Sequence, residues 1–426
     1  MGSLTTAMLS VSRAKRAQIG LIGSFFIQGF LTVSYIPRIP ELIDQVNVSF
    51  ATWGLILGLS GIGGLLPLLF ASKVVGRFGT RPVMQVSFLA VSTAIGSFGF
   101  VANGWTFFAL SFAQTFTMAM YNIALNSHSV VFQNRIGKII LGRFHAAWSI
   151  GAASSSLISG ALANFIPLKW HLLGVAIIAA GFVLVSSSMM LAPHEDGHDA
   201  EVKRAKPVSI LKTPNYVVML SLGLFCGVLP ELTMMDWSAV FAKQALHLSP
   251  GAVGIPYTIF VTSMIVARLS IGRFTRNRHF SQFAGRLAFV GSVSMALAVL
   301  IGPLVAGVDP MLAIAATAIF WIITGLATGP QVPSFFSASG NVPGMSTAQA
   351  MSRMSLFNAL IILGIKVIMG ATAQGISVQA VYGFPILSFV AAGLIARYVV
   401  RKNYKPQNPD NVDSYPMTSP NSVIAE

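Results

Sequence analysis

The amino-acid sequence consists of long apolar runs that alternate with short polar or basic segments. A helix needs about 20 apolar residues to cross roughly 30 Å of hydrocarbon, because the bilayer offers no partners for unpaired backbone groups. Applying this length along the chain predicts spans at about residues 17–37, 51–71, 83–102, 106–131, 144–166, 171–191, 215–240, 252–271, 284–306, 311–330, 348–371 and 378–399. We therefore expect an all-α polytopic membrane protein with twelve transmembrane helices.

The charge composition excludes an ordinary soluble domain. Only 9% of the residues are charged, whereas soluble domains contain about 25%. Lys and Arg outnumber Asp and Glu by 27 to 12, an excess that in a soluble protein would suggest nucleic-acid binding. Here the cations lie in the segments between the apolar runs. The sequence thus predicts contact with a lipid bilayer and none with nucleic acid.

The positions of the cations also predict the orientation. If both termini lie on one side, 23 cations fall on that side and three, Arg38, Lys169 and Lys243, fall on the other, with Lys366 inside a span. Cytoplasmic loops carry the excess of Lys and Arg in membrane proteins. We therefore expect both termini in the cytoplasm, in a bacterial inner or plasma membrane.

A polar segment divides the predicted spans six and six. This predicts a cytoplasmic N-terminal segment (residues 1–16), an N-terminal six-helix bundle (17–191) and a cytoplasmic linker (192–213). A C-terminal six-helix bundle (214–401) and a disordered cytoplasmic tail (402–426) follow. The sequence Gly-Arg-Phe at 76–78 recurs at 272–274. Two similar six-helix halves related by pseudo-symmetry are typical of secondary transporters.

Metal, cofactor and enzymatic chemistry find little support in the sequence. Cys226 is the only cysteine, and the linker histidines His194 and His198 have no further ligand at metal-site spacing. A phosphate-binding loop with its lysine is missing from the sequence, and the other histidines have no acid at motif spacing. We expect no metal, no cofactor and no catalytic residue.

Two carboxylates lie within a predicted span, the seventh. Glu231 and Asp236 occupy its outer half, and Pro230 is expected to kink or break the helix beside them. Ionisable groups within the membrane are costly and are functional candidates by default. One hypothesis is that Glu231, or failing that Asp236, carries the coupling proton; the alternative is a permanent structural pair between Glu231 and Lys366.

Arg38 and Asp236 lie at the outer ends of the first and seventh spans. An ion pair between them would stabilise a closed outer gate. The alternative for Arg38 is a local pair with Glu41, three residues further along the chain.

Polar residues at helical spacing predict the surfaces that contact a solute. Amides need more hydrogen-bond partners than one neighbouring helix supplies, and a Trp ring can stack on a ring of the solute. The predicted substrate-binding residues are Gln28, Asn122, Asn126, Trp321 and Gln331. The alternative is that such side chains only join helices to one another.

The segment 72–81 resembles the signature Gly-x-x-x-Asp-Arg-x-Gly-x-Arg of the major facilitator superfamily, and the resemblance covers residues 13–402. Arg77, Gly79 and Arg81 match, whereas Gly76 stands in place of the Asp. The resemblance implies the twelve-helix fold and a gate role for Arg77 and Arg81. Arg38-Ile39-Pro40, the segment 144–151 and the segment 231–238 are similar to a bacterial branch related to fucose permeases.

These observations together predict a monomeric transporter that works by alternating access, with proton-coupled uptake of a small neutral polar solute such as a sugar. The 18 Met and 30 Phe residues give some support to the alternative of proton antiport that exports amphipathic compounds. A membrane sensor without transport activity is the alternative of another class.

Overall fold

The computed structural model describes residues 10–137, 140–192, 195, 213–275, 280–342, 345 and 347–402. All regular secondary structure in these residues is helical. In the first part of the chain the helices are α1 (Val11–Val33), α2 (Ile39–Val46), α3 (Phe50–Leu65), α4 (Ala71–Phe78), α5 (Thr80–Ser97), α6 (Gly104–Ile136), α7 (Leu141–Leu162) and α8 (Leu168–Met189).

The second part of the chain repeats this pattern of long helices with short helices between them. They are α9 (Asn215–Gln244), α10 (Ile255–Thr275), α11 (Phe280–Ala306), α12 (Pro310–Thr328), α13 (Gln331–Ala338), α14 (Thr347–Gly375), α15 (Val378–Val381) and α16 (Gly383–Lys402). The linker histidines and the C-terminal tail after residue 402 lie outside the described residues.

Each predicted span coincides with a helix, although the helix ends differ from the predicted limits by several residues. Within the described ranges, nine helical stretches are long and apolar enough to cross a membrane, and α10 contributes a shorter apolar stretch, Ile255–Ile271. α6 and α7 are long, but polar side chains such as Asn122, Asn126 and His145 interrupt their apolar surface. The structure confirms an all-α membrane architecture, and the number of twelve spans stays a prediction.

Local signals explain where several helices begin. The side chain of Asn103 accepts a hydrogen bond from the backbone N–H of Thr106 (3.0 Å), and the side chain of Asp309 accepts one from Leu312 N–H (2.7 Å). Such caps satisfy N–H groups that have no partner inside the helix. Pro230 does not break α9, which is continuous from Asn215 to Gln244, and the alternative of a kink at Pro230 stays a prediction.

The described chain groups into two compact units. The first unit contains three segments: the chain up to Tyr35, Leu59–Ser155, and the chain from Pro167 to the linker. The second unit contains Ile36–Gly58, Ser156–Ile166 and the chain after the linker. In the first unit α1 packs on α8, and α5 packs on α6 and α8; in the second α9 packs on α16, and α11 packs on α12 and α16. The equivalent helices therefore make equivalent contacts, which supports the internal repeat.

Candidate functional site

Glu231 forms an ion pair with an arginine of the neighbouring helix α10. Arg268 Nη2 donates to Glu231 Oε2 at 2.7 Å, and the exposed fractions of the two side chains are 33% and 23%. The pair lies within the second unit, where α9 packs against α10. Glu231 is thus a half-buried carboxylate with a cationic partner.

Asp236 forms the second ion pair of α9, with Lys366 of α14. The distance from Lys366 Nζ to Asp236 Oδ2 is 2.8 Å, and the exposed fractions are 18% and 10%. This corrects the predicted pair between Glu231 and Lys366. Because Glu231 and Asp236 are five residues apart, their side chains point about 140° apart around the helix. α9 therefore presents Glu231 to α10 and Asp236 to α14.

Arg268 is the functional candidate that sequence reasoning missed. Its position near the end of a predicted span places it among the 23 cations expected on the cytoplasmic side. In the structure α10 continues to Thr275, which places Arg268 about 10 Å before the helix end. The signal that could have identified it is its position inside the apolar run 252–271, where a charged residue needs a partner.

Arg38 contacts the local acid and not Asp236. Its guanidinium donates to both carboxylate oxygens of Glu41, through Nη2 at 2.7 Å and also through Nε, and Nη2 donates to the carbonyl oxygen of Ile166 at 3.1 Å. Arg38 is fully buried within the second unit. The hypothesis of an Arg38–Asp236 gate pair does not describe this structure, because Lys366 and Glu41 take the two partners.

A cluster of amides lies in the first unit, where α1 contacts α6. Gln28 Nε2 donates to Asn122 Oδ1 at 2.5 Å, and Asn126 Nδ2 donates to the backbone carbonyl of Asn122 at 2.8 Å. Asn126 Oδ1 is buried and, in the described part of the chain, accepts no hydrogen bond. The structure therefore brings together three of the predicted substrate residues and leaves a buried acceptor beside them.

Trp321 and Gln331, the other two predicted substrate residues, lie in the second unit. Trp321 is buried in the second unit with its ring centroid 6.2 Å from Phe241 and 6.1 Å from Tyr382. Gln331 is fully buried, and its Nε2 donates to the backbone carbonyls of Ala284 (2.9 Å) and Ala327 (2.8 Å). Both side chains pack between helices, and in the described part of the chain Trp321 Nε1 and Gln331 Oε1 are buried without a hydrogen-bond partner. Their substrate role stays a prediction.

Arg77 and Arg81 flank the turn between α4 and α5. Arg77 is exposed, with its guanidinium 5.3 Å from the ring centroid of Phe78, and Arg81 is half-buried in the first turn of α5. Gly79 between them adopts φ of 82°, a conformation that favours glycine. The gate role of the two arginines stays a prediction.

The chemistry available to these residues is hydrogen bonding, ion pairing and proton transfer. Across the described residues there is no group of three or more His, Cys, Asp or Glu side chains that could hold a metal ion. The first unit offers amides, and the second offers two carboxylates, each with one cationic partner.

Comparisons with known proteins place these features in one family. The sequence model of the Major Facilitator Superfamily matches residues 21–344. An uncharacterized MFS-type transporter of Yersinia pestis is 22% identical over 381 residues, which cover 89% of this chain and 94% of that protein. An uncharacterized transporter of Sinorhizobium fredii is also 22% identical, over 260 residues that cover 59% of this chain and 65% of that protein.

Two solved structures share the fold. The nucleoside transporter NupG superposes with a TM-score of 0.69 and 14% identity, and the match covers 91% of this chain and 100% of that chain. A bacterial homolog of the human lysosomal transporter Spinster, in an inward-facing and unoccupied conformation, superposes with a TM-score of 0.68 and 14% identity, and that match covers 95% of this chain and 100% of that chain.

Proposed function

Because the chain belongs to the Major Facilitator Superfamily of transporters, we propose that it couples the movement of a small polar solute to protons through Glu231. In this proposal twelve spans form two six-helix halves that expose the solute site alternately to the two sides of the membrane. Both termini lie in the cytoplasm of a bacterial cell, and the transporter works as a monomer.

The observation that carries the coupling proposal is the ion pair between Glu231 and Arg268. Glu231 is 23% exposed, so this carboxylate is within reach of water and also faces a neighbouring charge. Protonation would cancel the attraction to Arg268 and release α9 from α10 at this point. In this proposal the contact is closed when Glu231 is ionised and open when it is protonated, as a coupled transport cycle requires.

The amide cluster supports the proposed class of solute. Gln28, Asn122 and the buried acceptor Asn126 Oδ1 offer both donors and acceptors. Groups of this kind suit a solute with several hydroxyl groups, such as a sugar, better than a lipophilic compound. We therefore propose uptake of a hydroxylated solute over export of amphipathic compounds, and the relation to fucose permeases remains part of this proposal.

Transport by purified protein in proteoliposomes tests the proposal. The solute panel contains D-glucose, D-galactose, D-glucuronate, D-galacturonate, L-fucose and uridine, and uptake is measured with and without an inward proton gradient. We expect E231Q to lose accumulation driven by the gradient but to keep counterflow, because exchange of solute without net proton movement needs no titratable group.

The variant D44N provides a matched control. Asp44 is an exposed acid of α2 that contacts Lys243 at 2.5 Å, and removing its charge should leave gradient-driven uptake unchanged. Uptake by E231Q that still responds to the gradient as the wild type does would reject Glu231 as the coupling group. A protein that binds solutes but transports none of them would support the alternative of a membrane sensor without transport activity.

A further inference from the structure

Each acid in the described part of the second unit already has a partner. Glu231 bonds Arg268 at 2.7 Å, and Asp236 bonds Lys366 at 2.8 Å. Glu41 pairs with Arg38, Asp44 pairs with Lys243, and Asp309 accepts a hydrogen bond from the backbone of the first turn of α12. If Glu231 takes up a proton, none of the other four described acids is therefore available to neutralise Arg268.

A guanidinium that loses its counter-charge in a half-buried site is destabilised, because it keeps only part of its hydration and gains no attraction in return. Arg268 is in this position once Glu231 is neutral, since its side chain is only 33% exposed. A neutral solute supplies no compensating charge. A solute with a carboxylate group does, and it restores the neutrality that the site has before the proton arrives.

From this charge balance we infer that the transported solute carries one carboxylate, which binds Arg268 when proton uptake displaces Glu231. The inference rests on the proposed coupling through Glu231, and it narrows the solute to a hydroxylated monocarboxylic acid such as a sugar acid. It replaces the neutral solute that the sequence predicted. The proton binds a Glu231 oxygen, and the hydrogen bond from Arg268 passes from that oxygen to the solute carboxylate.

The geometry of the pair suits such an exchange. In the described residues a single contact, from Nη2 to Oε2, joins Arg268 to Glu231. A guanidinium has five N–H donors and binds a carboxylate best through two parallel hydrogen bonds. Arg268 therefore has donors left for an incoming carboxylate, and that carboxylate can form the stronger two-bond arrangement.

Other ionisable groups lie on the helices that pack against α9. α12, α13 and α15 contain none. The described groups on α9 and on its other neighbours, including the turn before α2, are Cys226, Tyr216, Asp236, Lys243, Tyr257, Arg353, Lys366, Tyr382, Arg397, Tyr398, Arg401, Arg38, Glu41 and Asp44. Within the described residues only Glu231 forms an ion pair with Arg268. A pH effect that needs both Glu231 and Arg268 therefore reports on this pair.

The test compares sugar acids with neutral sugars of the same skeleton. Binding of D-glucuronate and D-galacturonate, and of D-glucose and D-galactose, is measured on the full-length purified protein at pH 5.5 and pH 8. The carboxyl groups of both acids are ionised at the two pH values. For at least one acid we expect E231Q, whose side chain is neutral like that of a protonated Glu231, to bind at least tenfold more tightly than the wild type at pH 8, because the Glu231 carboxylate of the wild type competes for Arg268.

Three variants separate the exchange from a general effect of pH. E231Q should bind the acid equally well at both pH values, since the competing charge is gone. E231Q/R268Q, which removes both charges and leaves no unpaired group, should bind the acid at least tenfold more weakly than E231Q. R286Q is the matched control, because Arg286 is an exposed arginine of α11 and its loss should change neither result.

The electrical signal of transport distinguishes failure of this inference from failure of the proposed function. A proton that moves with a monoanion carries no net charge, whereas a proton that moves with a neutral sugar carries one positive charge inward. Proton-driven, electrogenic uptake of D-glucose or D-galactose without binding of either acid would overturn the inference and leave the proposed function intact. If none of the four compounds binds or is taken up, the inference is overturned as well and the proposed function is not supported.

Discussion

The three ion pairs of the second unit that involve Glu231, Asp236 and Asp44 should contribute to stability in the order of their burial. Breaking a buried pair by removing one partner costs about 3–5 kcal/mol, because the other charge stays buried without compensation. Asp236 and Lys366 are 10% and 18% exposed, so D236N should cost about 3 kcal/mol, at the lower end of that range. Asp44 and Lys243 are 66% and 45% exposed, and D44N should cost less than about 1 kcal/mol.

The lone cysteine provides the assay. Cys226 is buried in α9, so a dye that fluoresces on reaction with thiols reports thermal unfolding of this helix in detergent. At about 2–4 °C per kcal/mol for a domain of this size class, D236N should lower the apparent Tm by about 6–12 °C. D44N should change it by no more than a few degrees, and E231Q should fall between them.

The double variant D236N/K366M tests the cause. With both charges removed, no unpaired ion remains, so the double variant should be more stable than D236N alone. Either of two results would refute the argument from burial and pairing. One is an apparent Tm for D44N as low as that for D236N, and the other is a double variant whose loss of stability equals the sum of the losses in D236N and K366M.

Two further predictions concern packing. A Cβ on Gly54 of α3 would lie 2.6 Å from Gly370 Cα of α14, whereas a Cβ on Gly364 of α14 would meet nothing within 4 Å. G54A should therefore cost about 1–3 kcal/mol of stability, whereas G364A should be neutral or stabilising. The apparent Tm of the two variants makes this comparison. Q331M should lower stability by about 1–2 kcal/mol through the loss of two hydrogen bonds to backbone carbonyls and leave the KM for solute unchanged. An increase in KM at constant stability would show instead that Gln331 contacts the solute.

The helices were predictable from the sequence because the physical constraint behind them is one of length and hydropathy. A run of about 20 apolar residues has few alternatives in a bilayer, and each of the predicted spans coincides with a helix. Of the kink or break expected at Pro230, the structure excludes the break, since a proline removes one N–H but leaves the other bonds of a 30-residue helix in place. Hydrogen bonding elsewhere in α9 keeps the helix continuous.

The ion pairs were less predictable, because pairing depends on which neighbouring helix each side chain faces. The sequence shows that Glu231 and Asp236 lie in one span, but it does not show that α10 provides the partner of Glu231 and α14 that of Asp236. The same limit applies to Gln331, since a polar stripe on a helix can face either a cavity or the backbone of a neighbouring helix. The amides Gln28 and Asn122 were predicted from separate polar stripes, and the structure joins them by a hydrogen bond; their contact with a solute stays a prediction.

The proton movement that accompanies solute uptake tests the central claim, coupling through Glu231, most directly. Solute is added to lightly buffered proteoliposomes, and the pH inside and outside is followed with a membrane-impermeant dye. We predict that wild type takes protons in together with solute and that E231Q moves no protons while it still exchanges solute in counterflow. Proton uptake by E231Q at the wild-type ratio to solute would contradict the account.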